Sequence, residues 1–393
     1  MIVAQRRWCA WRVVVLALSA CSAFALCLAS AAAATAASWR IVPSPGNGAL
    51  SAVSCTSASV CTAVGVKFVD GRKVALAERW NGTNWSIQRT PTPAGATFSE
   101  LIHVSCTSRS FCIAVGSFTS SPEHPYQTFV ERWNGSEWSI QQIPQGFIGS
   151  GVSCTSNTAC SAVGGGPYTD GLIQFFTGGL AAERWDGSRW SIQQTPGLGP
   201  SGLSDVSCAS QTACVAVGYG VGEQGPYATL AERWNGITWA IQRTPTPGSL
   251  EDWLWGVSCP TPTACTAVGD SVVDTLGDTG AVVEHWDGTA WSIQLLPSPS
   301  YVFYGSLNGV SCASMKSCIA VGNATGGAGA VYGSIVAAGW DGSSWSIQQT
   351  DNPSGAITSD LNGISCTSET ACTAVGSFTN GAGTAVTLVE RYS

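Results

Sequence analysis

The sequence predicts an all-β fold, a seven-bladed β-propeller of four-stranded blades, on three observations. The motif V/I-S-C-x5-C-x-A-V-G recurs seven times. A second motif, W-[DN]-G-x-x-W-[SA]-I-Q, recurs six times, opening at Trp80, Trp133, Trp185, Trp234, Trp286 and Trp340. Both keep a period of about 52 residues, and a unit of that length buries its faces only by stacking on copies of itself. Short strands with aromatic and glycine punctuation at this spacing describe propeller blades.

The first element is a leader. Arg6, Arg7 and Arg12 precede an apolar stretch over residues 13–28 and a small-residue run over 30–37. That order is the order of a secretory signal peptide, cleaved after Ala36 or Ala37. The expected division is therefore a signal over residues 1–37 and a propeller over 38–393. Two alternatives are a lipoprotein anchored through Cys21, from Leu18-Ser19-Ala20-Cys21, and an uncleaved anchor. Cysteine parity favours cleavage and release. Three of the 17 cysteines lie in the leader, and the other fourteen fall into seven pairs. Cutting at Cys21 would leave Cys27 as an odd thiol. The expected product is secreted or held at the cell surface, monomeric, and not inserted in a membrane after cleavage.

Composition narrows the partners. The chain is 45% hydrophobic and 10% charged, with 46 Gly and 17 Trp, which excludes a disordered or coiled-coil protein. Losing Arg6, Arg7 and Arg12 with the leader moves the formal charge from −7 to −10. Lys67, Lys73 and Lys316 are its three lysines. Such a surface repels phosphate backbones, so no nucleic-acid partner is expected.

The blade follows in order. In the first repeat, residues 50–55, 61–68, 74–80 and 85–88 read as strands one to four. Trp85 and Ile87 alternate with Ser86 and Gln88, the period of a strand with two unlike faces. Asn81-Gly82 reads as a tight hairpin turn. Pro91 and Pro93 end the outer strand, because proline cannot donate to a ladder.

Closure of the ring is readable from a mismatch. Seven cysteine hairpins stand against six tryptophan hairpins, and the last repeat stops at Glu390-Arg391-Tyr392-Ser393 after its third strand. Trp39-Arg40-Ile41-Val42-Pro43 matches the missing W-S-I-Q-x-x-P strand. The N-terminal strand is expected to complete the last blade.

With this period and its aromatic and Asx-Gly turns, the region 38–393 resembles the kelch and BNR (Asp-box) propeller superfamilies. The resemblance is one of architecture. The BNR box reads S-x-D-x-G-x-x-W, whereas here Asp186 and Gly187 are adjacent and Trp185 precedes them; kelch double glycines do not recur regularly. It implies the fold and carries over no catalytic residue.

The recurring residues read as structural. Cys55, Cys106, Cys154, Cys208, Cys259, Cys312 and Cys366 each precede a partner by six positions, namely Cys61, Cys112, Cys160, Cys214, Cys265, Cys318 and Cys372. That spacing puts both thiols of a pair within disulfide reach on one hairpin, one bridge per blade, each stabilising by about 2 kcal/mol. C-x5-C is not zinc spacing, and the chain has three histidines. The Glu-Arg pairs before the tryptophans, such as Glu78-Arg79, read as bridges between neighbouring strands or blades. The repeated tryptophans read as interblade packing.

Residues that break the repeat are the candidates for function. Loops from strand two to three, and from strand four to the next blade, share one rim and vary in length, which is where binding normally lives. Glu251, Asp252, Trp253 and Trp255 cluster at the start of the fifth blade. Trp255 stands where other repeats carry Ser51, Ser204, Asn308 and Asn362, which places an indole at the mouth of the funnel. Tyr301, Phe303 and Tyr304 lie in a neighbouring loop, and His103 and Asp205 take the next position of strand one in blades two and four. Aromatics beside carboxylates suit sugar stacking or a protein hot spot; the alternative is that they only plug the funnel. Asp270, Asp274 and Asp278 share a loop, where three acids are either a calcium site or solvated. No phosphate loop, serine elbow or zinc helix motif occurs, so no cofactor and no metal is expected. The leading expectation is a non-enzymatic binding module for a glycan or a protein. One alternative is a glycosidase or lyase acting on polysaccharide, with Glu251 or Asp252 facing Asp205 or Asp360 across ~5–9 Å. The other is a structural surface protein.

Overall fold

A computed structural model describes residues 37–121, 126–144, 148–165, 180–197, 201–221, 227–245, 251–272, 279–297, 304–326 and 333–393, with backbone alone for Ile148, Tyr304 and Thr325. The leader, Tyr301, Phe303, Asp274 and Asp278 lie outside the described residues. The described strands form seven antiparallel blades of four, and no helix occurs among them. In the first blade they are Gly48–Ser57, Val60–Val69, Arg72–Trp80 and Trp85–Gln88, from the axis outward. The inner strand outruns its apolar pattern because backbone pairing continues from Gly48 opposite Lys67 to Ser57 opposite Val60.

Each inner strand carries a β-bulge, which follows a buried leucine in six blades, as between Leu50 and Ala52, and Gly149 in the third. The bulge accounts for the glycine of C-x-A-V-G. A Cβ on Gly65 would lie 2.1 Å from the carbonyl oxygen of Ala49, and one on Gly269 would lie 1.9 Å from that of Trp253. No side chain fits so close to a backbone oxygen.

Packing runs from blade to blade. Ala52, Val64 and Ala77 of blade one meet Leu101, Phe129 and Trp133 of blade two. Small residues on one face thus receive large residues on the next, which fills the wedge between twisted sheets. The motif also supplies polar contacts that the pattern alone does not announce. The serine of each V/I-S-C accepts the backbone N–H of the next blade's first cysteine, from Ser54 with Cys106 at 2.9 Å round to Ser365 with Cys55 at 3.0 Å. All seven blades take part. The glutamine of W-S-I-Q also bridges outer strands: Trp291 Nε1 donates to Gln242 at 3.0 Å and Trp345 Nε1 to Gln294 at 2.7 Å.

The N-terminal strand closes the ring as expected. Trp39, Arg40 and Ile41 pair with Tyr392, Arg391 and Glu390. The Trp39 and Tyr392 rings lie 5.3 Å apart, close to the 5.8 Å between Trp80 and Trp85. Trp39 Nε1 donates to Gln348 at 2.8 Å, the bridge that Trp291 and Trp345 also make. All seven expected disulfides are present, with Cα atoms 3.9–4.1 Å apart.

One local expectation is corrected and another is refined. Asn81-Gly82 is not the centre of a two-residue hairpin. Trp80 pairs with Trp85 across a four-residue turn, in which Asn81 Oδ1 accepts from the N–H groups of Thr83 and Asn84 at 2.9 Å and Gly82 takes φ 101°. The Asx side chain therefore organises a longer turn. The bridge expected of the Glu-Arg pairs is made by the arginine, while the glutamate turns the other way, because successive strand residues point to opposite faces. Arg79 reaches the next blade, lying 4.6 Å from the Trp133 ring centroid and donating to the Arg109 carbonyl at 2.9 Å. Glu78, Glu131, Glu232, Glu284 and Glu390 turn inward and are 0% exposed.

Candidate functional site

The bulges place one residue of every blade at the mouth of the axial channel. They are Ser51, Ile102, Ser150, Ser204, Trp255, Asn308 and Asn362, around a cavity of about 180 Å³. Asn308 and Asn362 are tied down, their amides donating to the carbonyls of Leu361 and Leu50 in the following blades at 2.9 Å. Trp255 is the aromatic exception and is 38% exposed.

His103 and Asp205 meet across blade three. His103 Nε2 lies 3.3 Å from Asp205 Oδ1, while His103 Nδ1 accepts the Val152 N–H at 3.4 Å. That arrangement puts the imidazole proton on Nε2, donating to the carboxylate. Asp205 also accepts from Val206 at 2.7 Å through Oδ1 and from Val257 at 2.9 Å through Oδ2. Burial raises its pKa, and His103 and the two N–H groups oppose that rise. With both oxygens engaged, Asp205 braces blades two to five and is poorly placed to take a proton from a substrate.

A row of aromatic rings leads away from the mouth. Trp255 and Trp253 stack with centroids 6.3 Å apart and planes 14° from parallel. Trp253 stacks on Tyr227 at 6.3 Å and 30°, and Tyr219 meets Tyr227 edge-on at 5.4 Å. The Trp255 indole N–H donates to Asp270 Oδ1, which also accepts from the Ser306 hydroxyl at 3.1 Å. Burial raises the Asp270 pKa, the two donors oppose it, and neighbouring Asp252 adds to it.

The remaining candidates spread around this row. Glu251 forms a bridge with Tyr227 and its carbonyl accepts the Val272 N–H at 2.8 Å. Asp252 is 1% exposed and begins the inner strand of blade five. Asp360 stands in blade seven, accepting from the Asn323 amide at 2.5 Å. The Tyr304 backbone pairs with Gly280, joining blades five and six. Among the described residues no group of three metal-ligating side chains occurs. Sequence reasoning missed Tyr219, Tyr227 and Ser306. Tyr227 carried a signal, as a singular aromatic in a variable two-to-three connection.

No protein-family model matches the sequence, and no curated protein matches it. Among solved structures, YCF48 bound to D1 peptide aligns with 90% of this chain and 96% of that one, at 14% identity and a TM-score of 0.52. The GH74 xyloglucanase from Xanthomonas campestris aligns with 87% of this chain at 11% identity and a TM-score of 0.56. The chain spans about half of that enzyme's length, 53%. Identities this low establish the propeller fold and nothing about the site.

Proposed function

We propose that the protein is a secreted or cell-surface binding module that takes a glycan or a protein segment on its variable rim, at the channel mouth of blade five. The carrying observation is Trp255, the one aromatic among seven equivalent bulge residues, 38% exposed on a stacked indole. Glu251, Asp252, Trp253 and Trp255 form the core of the proposed site, with Tyr301 and Tyr304 as further expected ligand contacts from the sequence and His103 and Asp205 bracing the channel. A fixed ring that presents one unlike edge is the usual way a propeller gains selectivity without changing its frame. The seven disulfides fit maturation in an oxidising environment, which agrees with export by the segment 1–37. Among the described residues no helix is long and apolar enough to cross a membrane.

Glycan-array and peptide-array binding of the purified, oxidised protein, repeated with Trp255→Ala, tests this reading. Loss of at least about 1.4 kcal/mol of binding, a tenfold weaker Kd, is expected without turnover of the ligand. Binding unchanged by Trp255→Ala moves the site elsewhere, and release of reducing ends replaces the module with an enzyme.

A further inference from the structure

We infer that the blade-five mouth recognises an alkylammonium group, seated against the Trp255 indole and within the field of Glu251, Asp252 and Asp270. This rests on the reading that the rim around Trp255 binds a ligand, and adds the chemistry of what it binds. The Trp255 N–H is hydrogen-bonded to the Asp270 carboxylate. Donating to an anion pushes electron density into the indole and makes its exposed face a stronger partner for a cation. Ser306 donates to the same Oδ1 and holds the carboxylate in place. Asp270 Oδ2 accepts no hydrogen bond among the described residues.

The surrounding charge has one sign. Burial chiefly raises the pKa values of Tyr227, Asp270 and Glu284, and Glu251 adds to the first and Asp252 to the other two. Among the described residues the contacts between a basic and an acidic side chain join His103 to Asp205 and Arg189 to Asp186, so within them neither Glu251 nor Asp270 has a basic neighbour in such contact. An anionic ligand meets repulsion here. A neutral sugar gains from the indole and leaves the field unused. An ammonium gains from both, and its N–H groups or polarised methyls can face Asp270 while its carbon neighbours lie on the ring. The ammonium is either that of an amino sugar or that of a lysine side chain, and the two sources separate by experiment.

Isothermal titration of the oxidised protein with glucosamine hexamer, its N-acetylated counterpart and hexalysine at about pH 6, where these amines are largely protonated, is the test. The expected result is binding of a cationic probe at least about tenfold tighter than the acetylated hexamer, weakening with salt. Asp270→Asn keeps an oxygen for the indole N–H and removes the charge, and is expected to erase that preference. Glucosamine hexamer alone identifies an amino-sugar source, and hexalysine alone a peptide source. Equal binding of the acetylated hexamer, unaffected by Asp270→Asn but lost in Trp255→Ala, overturns the ammonium and leaves the rim site standing. Absence of binding by both cationic probes also overturns it. Should Asp270→Asn unfold, quenching of wild-type tryptophan fluorescence by cationic against acetylated hexamer decides the same question.

Discussion

Glu131 is 0% exposed and neither carboxyl oxygen has a hydrogen-bond partner among the described residues. Desolvation pushes its pKa up to about 8, and Glu284 and Glu390 likewise; Glu183 and Glu232 rise to about 7. These residues are protonated in the folded protein at neutral pH or below, while the unfolded chain ionises them near 4.5. Their contribution to stability is full below the unfolded value and falls as pH rises through about 8. Asp186, Asp287 and Asp341 act oppositely. Turn N–H and hydroxyl donors hold them down at about 2, so their contribution is present above the usual carboxylate range and is lost as pH falls through that value. Thermal melting followed from about pH 3 to pH 9 is expected to peak near pH 4–5 and decline on the alkaline side. Glu131→Gln should leave Tm near pH 5 within about 2 °C of wild type and flatten the alkaline limb. A Tm constant or rising toward pH 9 would refute this account. Strand parity in Glu-Arg already forbade an internal ion pair; what sequence could not show was that the inward Glu131 lies at a buried position where desolvation dominates.

At the scale of the strand, the V/I-S-C motif combines a core residue, an interblade acceptor and a disulfide in three consecutive positions. Ser207→Ala is expected to cost about 1–3 kcal/mol, because it orphans the Cys259 N–H that now donates to it at 2.9 Å. Urea unfolding checks this, and a loss of unfolding free energy below about 0.5 kcal/mol would show that water replaces the serine. The bulge sets a stricter limit. A Cβ at Gly151 would lie 2.7 Å from the Asp205 Cα, so Gly151→Ala must push blades three and four apart, at about 2 kcal/mol or more, and lengthen the His103 to Asp205 contact. The His103 ring NMR signals report that change; an unaltered His103 environment in a folded Gly151→Ala protein argues against the brace. Cysteine spacing and the A-V-G glycine were visible in the sequence. The serine ladder was also visible as a repeated letter, but its partner lies about one period away and on the next blade, which no local pattern reveals.

At the scale of the whole molecule, stability depends on a three-residue strand that joins the two ends of the chain. Trp39→Ala removes the ring packed on Tyr392 and the bridge to Gln348, and should cost about 3–5 kcal/mol, comparable to Trp85→Ala within a continuous blade. A much smaller loss, read by calorimetry, would mean that the ring does not need its closing strand. Arg391 continues the same seam, donating to Ala58 of blade one at 2.6 Å and lying 4.7 Å from the Trp80 ring centroid. The sequence by itself determined the number of blades, their disulfides and the exchange of the closing strand, because each follows from counting motifs whose spacing is fixed by covalent geometry and strand period. It also marked Trp255 as the residue that breaks the repeat. Only the tertiary structure decided what Trp255 touches. Tyr227, Trp253, Asp270 and Ser306 come from three blades, and their meeting depends on how bulged strands converge on one axis, a distance that no residue spacing along the chain encodes.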